Sequence, residues 1–351
     1  MSLLLPIVLI LLWSSAPPSA GHDGDAGGSA VPNELVLRKG IRFVTREMFA
    51  EFANVTVVAL DSNQIESIRP GSFDDLSQLS KLSLTFNSIE SIQLGVFNGV
   101  SSLRSLDLGR NLIVDIEEGA FSGMASLADL YVLLNRIGLI RRGTFTGIPS
   151  LITLGLAFNR IEIIEPGAFD GMSKLRSLTL EGNWIQRIET CVFNALTSLD
   201  VLVLDRNQIY EVNKGMFCGL TLLTTLGLQG NQIETIQTGS FDGAPSLIRL
   251  FLGSNRVGVI EDGAFDGLSM LTELDLGRNH ITSISENTFS GATSLASLTL
   301  SNNRIEAIAP GAFAAMPSLT YLVLTGNPIC WTAQEETVRS WGLPDHAGIE
   351  C

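Results

Sequence analysis

An asparagine recurs at one fixed interval along most of this 351-residue chain. The series begins Asn63, Asn87, Asn111 and runs to Asn327, and its eleven equal intervals define twelve units. The same apolar columns recur in every unit, as at Leu106 and Phe121 of the third one. A unit this short cannot bury its own apolar face, so identical units must stack on one another. The repeat therefore predicts one solenoid, not the two or three domains that length alone would suggest.

Each unit has the alternation of a short strand. In the third unit Leu106 and Leu108 point inward while Ser105, Asp107 and Gly109 point outward. Parallel strands stack about 4.8 Å apart. The opposite wall of each coil, which contains the phenylalanine column, is wider than the strand wall. We therefore expect a curved stack with its strands on the concave side.

Two further columns, one of asparagine and one of glycine, belong to this scaffold. Each repeat asparagine follows its strand, where its amide can bond backbone groups of its own coil and of the adjacent coil. Loss of such a side chain should leave buried backbone groups unpaired, at roughly 1–3 kcal/mol each. A glycine column, with Asn287 as an exception, predicts a left-handed turn on the far side of each coil, as at Gly71 and Gly95.

The pattern LxxLxLxxNxIxxIxxGxFxG, from about Leu35 to the C-terminus, resembles the typical class of extracellular leucine-rich repeats. Similar units occur in Slit, Toll-like receptors, small leucine-rich proteoglycans and lamprey variable lymphocyte receptors. The resemblance implies an α/β solenoid: a right-handed curved horseshoe with a parallel concave β-sheet, 12 repeats plus caps. The chain departs from the family in lacking a cysteine-bonded N-terminal cap and in having two, not four, cysteines at the C-terminal cap.

The domain organisation follows from the extent of the repeats and from the composition of the segments outside them. Residues 1–20 are predicted to be a signal peptide, because their apolar run is too short to span a bilayer; an uncleaved anchor is the alternative. Residues 21–30 are rich in glycine and aspartate and predict a flexible leader. A degenerate capping coil over 31–54, repeats over 55–329 and a C-terminal cap over 330–351 complete the chain. No later segment is apolar enough to span a membrane.

The caps have their own patterns. One repeat length before the first unit, Val36 falls in a core column and Lys39 at the asparagine position. At the other end Thr332 and Glu335 have capping-box spacing, which predicts a short helix that lays Trp341 over the open core.

Four cysteines and one sequon remain. Cys330 and Cys351 bracket the C-terminal cap and are expected to pair in a secreted chain. Cys191 and Cys218 lie in adjacent coils, where a disulfide is feasible but near the limiting Cα separation; two free thiols are the alternative. Asn54 begins the single glycosylation sequon.

The charge balance constrains the partner. Lys and Arg number 22 against 36 Asp and Glu, a net charge of −14, which argues against nucleic acid. Arg160 with Glu162 and Arg304 with Glu306 are interpreted as weak surface ion pairs. With three histidines and no catalytic motif the chain is not expected to be an enzyme or to need a metal or cofactor.

The concave face is the candidate binding site, because its outward columns vary while the core columns do not. One region centres on an aromatic anchor at Tyr131, and an acidic region centres on Phe251. An alternative for residues directly before the asparagine, such as Phe158, is burial at the strand edge. The predicted ligand-binding residues are Asp107, Asp129, Tyr131, Leu133, Phe158, Glu181, Val203, Asp205, Phe251 and Asp275.

These patterns favour a secreted recognition module that binds an extracellular protein, or a glycan, on its concave face. The alternative is a structural component of an extracellular matrix that acts by self-association.

Overall fold

The computed structural model describes residues 33–351. The predicted signal peptide, the flexible leader and the first two residues of the capping coil lie outside this range. Residues 33–351 form a solenoid of stacked coils whose concave strands make one parallel sheet of fourteen strands. The strands are Glu34–Val36, Val57–Ala59, Lys81–Ser83, Ser105–Asp107, Asp129–Tyr131, Thr153–Gly155, Ser177–Thr179, Val201–Val203, Thr225–Gly227, Arg249–Phe251, Glu273–Asp275, Ser297–Thr299, Tyr321–Val323 and Gly348–Glu350.

Twelve of these strands belong to the repeats, and one is added by each cap. Neighbouring repeat strands pair at the interval of the asparagines, as Leu106 pairs with Leu130. Leu106 and Leu108 have no exposed surface, so the predicted inward columns are confirmed. Because every repeat strand keeps this register, residues of one column form a straight row across the sheet.

The asparagines form the predicted ladder. The amide of Asn111 donates to the carbonyls of Leu108 in its own coil (2.9 Å) and Leu84 in the preceding coil (3.0 Å). Its oxygen accepts the amide of Ile89, also in the preceding coil, at 3.1 Å. The same pattern repeats up to Asn327. Each asparagine therefore joins two coils through three or more bonds.

A left-handed residue stands directly before each asparagine in most coils. Phe86, Leu134 and Phe158 have φ of 55–56°, and Gly182 has φ of 67°. This turn directs the asparagine side chain inward while the left-handed residue stays at the edge of the sheet. Non-glycine residues rarely adopt this conformation, so the ladder must offset its cost.

The convex side is built from turns and two-residue strands, with little helix. Its phenylalanine rings stack 5.5–6.3 Å apart from Phe49 to Phe193 and again from Phe217 to Phe313. This spacing exceeds the about 4.8 Å between parallel strands, so the sheet lies on the inside of the bend. The short strands pair as Phe43–Val44 with Ser67–Ile68, Ser91–Ile92 with Asp115–Ile116, Leu139–Ile140 with Ile163–Ile164, Thr235–Ile236 with Val259–Ile260, and Ser283–Ile284 with Ala307–Ile308.

The glycine column is left-handed at its glycines, with φ from 72° to 82°. The expectation was wrong at Asn287, which is not left-handed, and it missed Cys191, which occupies the same column with φ of 59°. An asparagine tolerates the left-handed region but does not require it.

The N-terminal coil is shifted by one residue from the predicted register. Its first strand pairs one residue short of the repeat interval, so Leu35 aligns with Val58 and is buried, whereas Val36 is 49% exposed. The full interval returns at Val44, which pairs with Ile68. Between these two strands the N-terminal coil is therefore one residue shorter than a repeat, at the place where a repeat has its asparagine turn. A 3-10 helix at Arg46–Phe49 follows.

The C-terminal cap has two helices, Ile329–Thr332 and Glu335–Ser340. Trp341 is buried over the last coil as predicted, with its ring centroid 6.4 Å from that of Phe313. The predicted capping box is wrong: the Thr332 hydroxyl belongs to the first helix and bonds the carbonyls of Pro328 and Ile329. Gln334 precedes the second helix without a side-chain capping bond.

Both predicted disulfides are present. Cys191 and Cys218 join adjacent coils with a Cα separation of 5.2 Å, inside the accepted range. Cys330 and Cys351 close the C-terminal cap with a Cα separation of 5.3 Å. Residues 33–351 contain no free cysteine.

Candidate binding face

The structure places the predicted site residues on the concave face, except Phe158 at the edge of the sheet, and exposes them unequally. Three of the ten have buried side chains: Glu181, Val203 and Phe251 are 5, 4 and 7% exposed. The others remain partly exposed: Asp107, Asp129, Tyr131, Leu133, Phe158, Asp205 and Asp275.

Tyr131 and Leu133 form an apolar surface at the fourth coil. In the central row Tyr131 lies between Asp107 and Gly155. A Cβ on Gly155 would lie 3.1 Å from Cδ1 of Tyr131, so the ring packs against the glycine backbone. Leu133 packs in the same way against Gly109, 3.5 Å from the position of its missing Cβ. Glycines in neighbouring coils thus support this pair while leaving it accessible.

Burial and nearby carboxylates raise the pKa of Tyr131 to about 12. Burial is the largest cause, and the charges of Asp129 and Asp107 add to it. The phenol therefore stays protonated at neutral pH and can donate a hydrogen bond to a ligand.

The concave carboxylates bind backbone amides at the ends of strands. Asp107 accepts the amide of Gly109 at 2.8 Å, and Asp275 accepts that of Gly277 in the same way. Asp205 accepts an amide of the next coil, that of Gln229. Nothing in the sequence pattern indicated these bonds, which assign the acids a scaffold role beside any role in recognition.

The same acids have perturbed ionisation. Burial raises the pKa of Asp107 to about 6, and the amide bond from Gly109 opposes this only in part. Burial also raises the pKa of Asp205 to about 6, and the nearby Glu181 adds to the effect. Both carboxylates are therefore held in their charged form at neutral pH at a free-energy cost.

The second predicted region is less accessible than expected. Phe251 lies between Gly227 and Asp275 in the central row, yet it is almost fully covered. Five inter-strand steps separate it from Tyr131, which is about 24 Å. Glu181 lies between the two regions and faces Arg206, whose guanidinium is 3.5 Å from its carboxylate. Of these two regions, only that of Tyr131 retains a partly exposed aromatic anchor.

An aromatic and cationic edge was missed by the sequence reasoning. The guanidinium of Arg110 lies 4.7 Å from the ring centroid of Phe86, and that of Arg160 lies 5.8 Å from that of Trp184. These residues flank the asparagines, and a comparison of the columns on either side of the ladder could have found them.

The two predicted surface ion pairs are not formed. Among residues 33–351, no ion pair within 4.0 Å joins Arg160 to Glu162 or Arg304 to Glu306.

Other site types find little support in residues 33–351. They contain no group of three His, Cys, Asp or Glu side chains placed to hold a metal ion. None of their helices has the length and apolarity to cross a membrane. The predicted sequon residue Asn54 is exposed in a turn, and the hydroxyl of Thr56 donates to the carbonyl of Asn33 at 3.0 Å.

Solved structures share this architecture. The structure of TLR13 in complex with ssRNA13 is 27% identical, with a TM-score of 0.74 over 90% of this chain and 50% of that one. Toll in the Drosophila Toll–Spatzle complex is 22% identical, with a TM-score of 0.68 over 84% of this chain and 42% of that one. This chain thus spans about half the length of these two relatives or less.

A bacterial relative is matched over more of its length. A leucine-rich-repeat protein of Leptospira interrogans is 21% identical, with a TM-score of 0.63 over 89% of this chain and 82% of that one. An identity this low shows a common fold only.

A search of curated protein sequences gave no significant match. The family model for the leucine rich repeat matches six overlapping segments: 35–89, 77–137, 127–185, 182–233, 222–281 and 269–329. Together these segments cover every repeat from the N-terminal capping strand to the last asparagine turn. The chain belongs to the leucine-rich repeat family.

Proposed function

We propose that this protein is an extracellular recognition module that binds a protein ligand on its concave face, centred on Tyr131. The observation that carries the proposal is the partly exposed pair of Tyr131 and Leu133, packed on glycine backbone and bordered by Asp107 and Asp129. Aromatic side chains on rigid, partly desolvated supports are typical of binding hot spots.

The relatives support a ligand-binding role in general terms. Toll was solved in complex with Spatzle, and TLR13 in complex with a single-stranded RNA. For this chain a protein is the better candidate, because a net charge of −14 opposes a polyanion.

The extracellular assignment rests on the cysteines and on the predicted leader. Two disulfides account for all four cysteines, which is the usual state in an oxidising compartment. The sequence of residues 1–20 has the apolar run of a secretory signal. Secretion from cells that express the full chain, followed by determination of the mature N-terminus, would test this part.

The binding proposal is tested by a matched pair of tyrosine variants. Tyr131→Ala removes the anchor, whereas Tyr321→Ala removes a concave tyrosine that is 67% exposed at the far end of the sheet. Immobilised wild type and both variants are exposed to extracellular fluid, and bound proteins are quantified by mass spectrometry. We expect capture by Tyr131→Ala to fall at least about tenfold, as for a hot-spot residue, and capture by Tyr321→Ala to be unchanged.

Equal capture by Tyr131→Ala and wild type would refute the assignment to this patch. Light scattering of the same three proteins tests the structural alternative. If wild type forms large assemblies and captures no other protein, self-association replaces recognition as the function.

A further inference from the structure

Arginines line one edge of the solenoid. Among the positions immediately before and after the twelve asparagines there is no Asp or Glu, although the chain has 36 acids. Seven of these positions hold arginine: Arg110, Arg136, Arg160, Arg206, Arg256, Arg278 and Arg304. A surface with so skewed a charge within an acidic protein points to a partner of negative charge.

Aromatic side chains interleave with the arginines only in the second to sixth coils. Phe86 and Trp184 are 53 and 44% exposed, and each stacks with an arginine, Arg110 and Arg160 respectively. Stacking orients a guanidinium and leaves its in-plane N–H groups directed outward. Arg136 lies in the coil between these two pairs. We call these five residues the arginine–aromatic edge.

The guanidinium groups of this edge form no ion pair within the described chain. Arg206 pairs with Glu181, but Arg110, Arg136 and Arg160 have no carboxylate within 4.0 Å among residues 33–351. A guanidinium binds a carboxylate through two parallel hydrogen bonds, and such pairing here would meet no internal competitor.

We propose that the arginine–aromatic edge binds an extended acidic segment of a protein ligand, an inference that rests on the proposed function and specifies the partner. Five coils span four intervals, or about 19 Å, which matches about six residues of extended chain. Three arginines can neutralise a short acidic segment. They are too few to hold a nucleic acid against the net charge of −14.

The edge continues into the Tyr131 region. Phe158 lies in the left-handed position of the fifth coil, and its ring packs 2.6 Å from where a Cβ of Gly182 would lie. Leu134 occupies the same position in the fourth coil, beside Leu133. A ligand that contacts Tyr131 could therefore pass its acidic segment along the edge without leaving the surface.

The test uses fluorescein-labelled hexaglutamate and hexaglutamine peptides with the whole protein. Fluorescence anisotropy should show that wild type binds hexaglutamate in preference to hexaglutamine, with an affinity that falls as salt is raised. The triple variant Arg110→Gln, Arg136→Gln and Arg160→Gln should weaken hexaglutamate binding about tenfold. The matched control is Arg256→Gln, Arg278→Gln and Arg304→Gln, which makes the same charge change in coils that lack the aromatics. It should bind almost as wild type does.

Three results would overturn the inference. They are no preference of wild type for hexaglutamate, equal losses in the two triple variants, or tighter binding of a hexathymidylate oligonucleotide than of hexaglutamate. The first and third need no variant, so misfolding of a variant cannot hide them. Peptide binding does not require the natural ligand, so the two proposals can fail separately. If hexaglutamate did not bind while capture still depended on Tyr131, the proposal for the arginine–aromatic edge would be wrong and the proposed function would be unaffected.

Discussion

The asparagine ladder makes a quantitative prediction about neighbouring coils. Asn183 is 2% exposed; it donates to the carbonyls of Leu156 and Leu180 at 3.0 and 2.9 Å, and it accepts the amide of Ile161 at 3.0 Å. The Leu156 carbonyl also accepts from Asn159, at 3.1 Å. In the same way Leu180 accepts from the asparagine of the next coil. Both carbonyls therefore have a second donor, whereas the Ile161 amide has none among the described bonds.

The replacement Asn183→Ala should consequently leave one buried group wholly unpaired, the Ile161 amide. An unpaired buried donor costs about 1–3 kcal/mol, and the two lost donations, whose acceptors stay bonded, add about 1 kcal/mol. We expect the free energy of unfolding to fall by roughly 2–4 kcal/mol.

The sharper expectation concerns pairs of replacements. Asn159→Ala with Asn183→Ala removes both donors of the Leu156 carbonyl, so the double variant should lose about 1–2 kcal/mol more than the sum of the single variants. Asn159→Ala with Asn231→Ala is the control, because Asn231 donates to Leu204 and Leu228 and shares no carbonyl with Asn159. The losses in unfolding free energy from these two replacements should be additive.

Urea unfolding of the single and double variants, followed by circular dichroism, gives these free energies. Only variants whose transition keeps the wild-type slope can be compared, since an array can lose cooperativity when one coil is weakened. If the adjacent pair were no more costly than the sum of its members, or if the separated pair coupled as strongly, the shared carbonyls would not explain the stability of the ladder.

Two further predictions concern single positions. Because folding raises the pKa of Asp205 to about 6 from an ordinary 3.8, the folded state binds the proton more tightly, so stability from this group falls as pH rises from about 4 to about 6. Asp205→Asn should therefore raise the melting temperature at about pH 7.5 and flatten its pH dependence in that window; a variant less stable than wild type at that pH would contradict this. Gly99→Ala should cost more than Gly123→Ala by at least about 1 kcal/mol, because a Cβ on Gly99 would lie 2.4 Å from Cα of Asp74 while one on Gly123 meets nothing within 4 Å, although both have similar φ. Thermal unfolding of the two alanine variants measures the difference, and equal losses would show that the close approach of the coils is unimportant.

The periodic part of the fold was predictable, because every column repeats the same physical requirement twelve times. The inward leucines, the ladder and the parallel sheet follow from a spacing that a single sequence displays. The N-terminal coil differs from the predicted register by one residue at Val36, because it lacks an asparagine turn to fix that register. Thr332 failed as a cap because a first helix, invisible in the periodicity, already used its hydroxyl.

The candidate site was predictable in position but less so in exposure. Strand alternation correctly placed Tyr131 and Phe251 on the concave face, but it could not show that Phe251 is covered, since coverage depends on side chains from other coils. The concave acids were predicted only as ligand-binding residues. Their bonds to backbone amides, such as that of Asp107 to Gly109, depend on backbone geometry that the sequence does not display.

The ladder also determines how such a chain can change in length. Since every coil offers the same carbonyls and amides above and below, one whole unit can be duplicated or deleted in a gene with all junction bonds restored. Each such event would move the surfaces on either side of it about 5 Å closer together or farther apart. Recombination in steps of one unit would thus adjust the distance between two contact points without disturbing either of them.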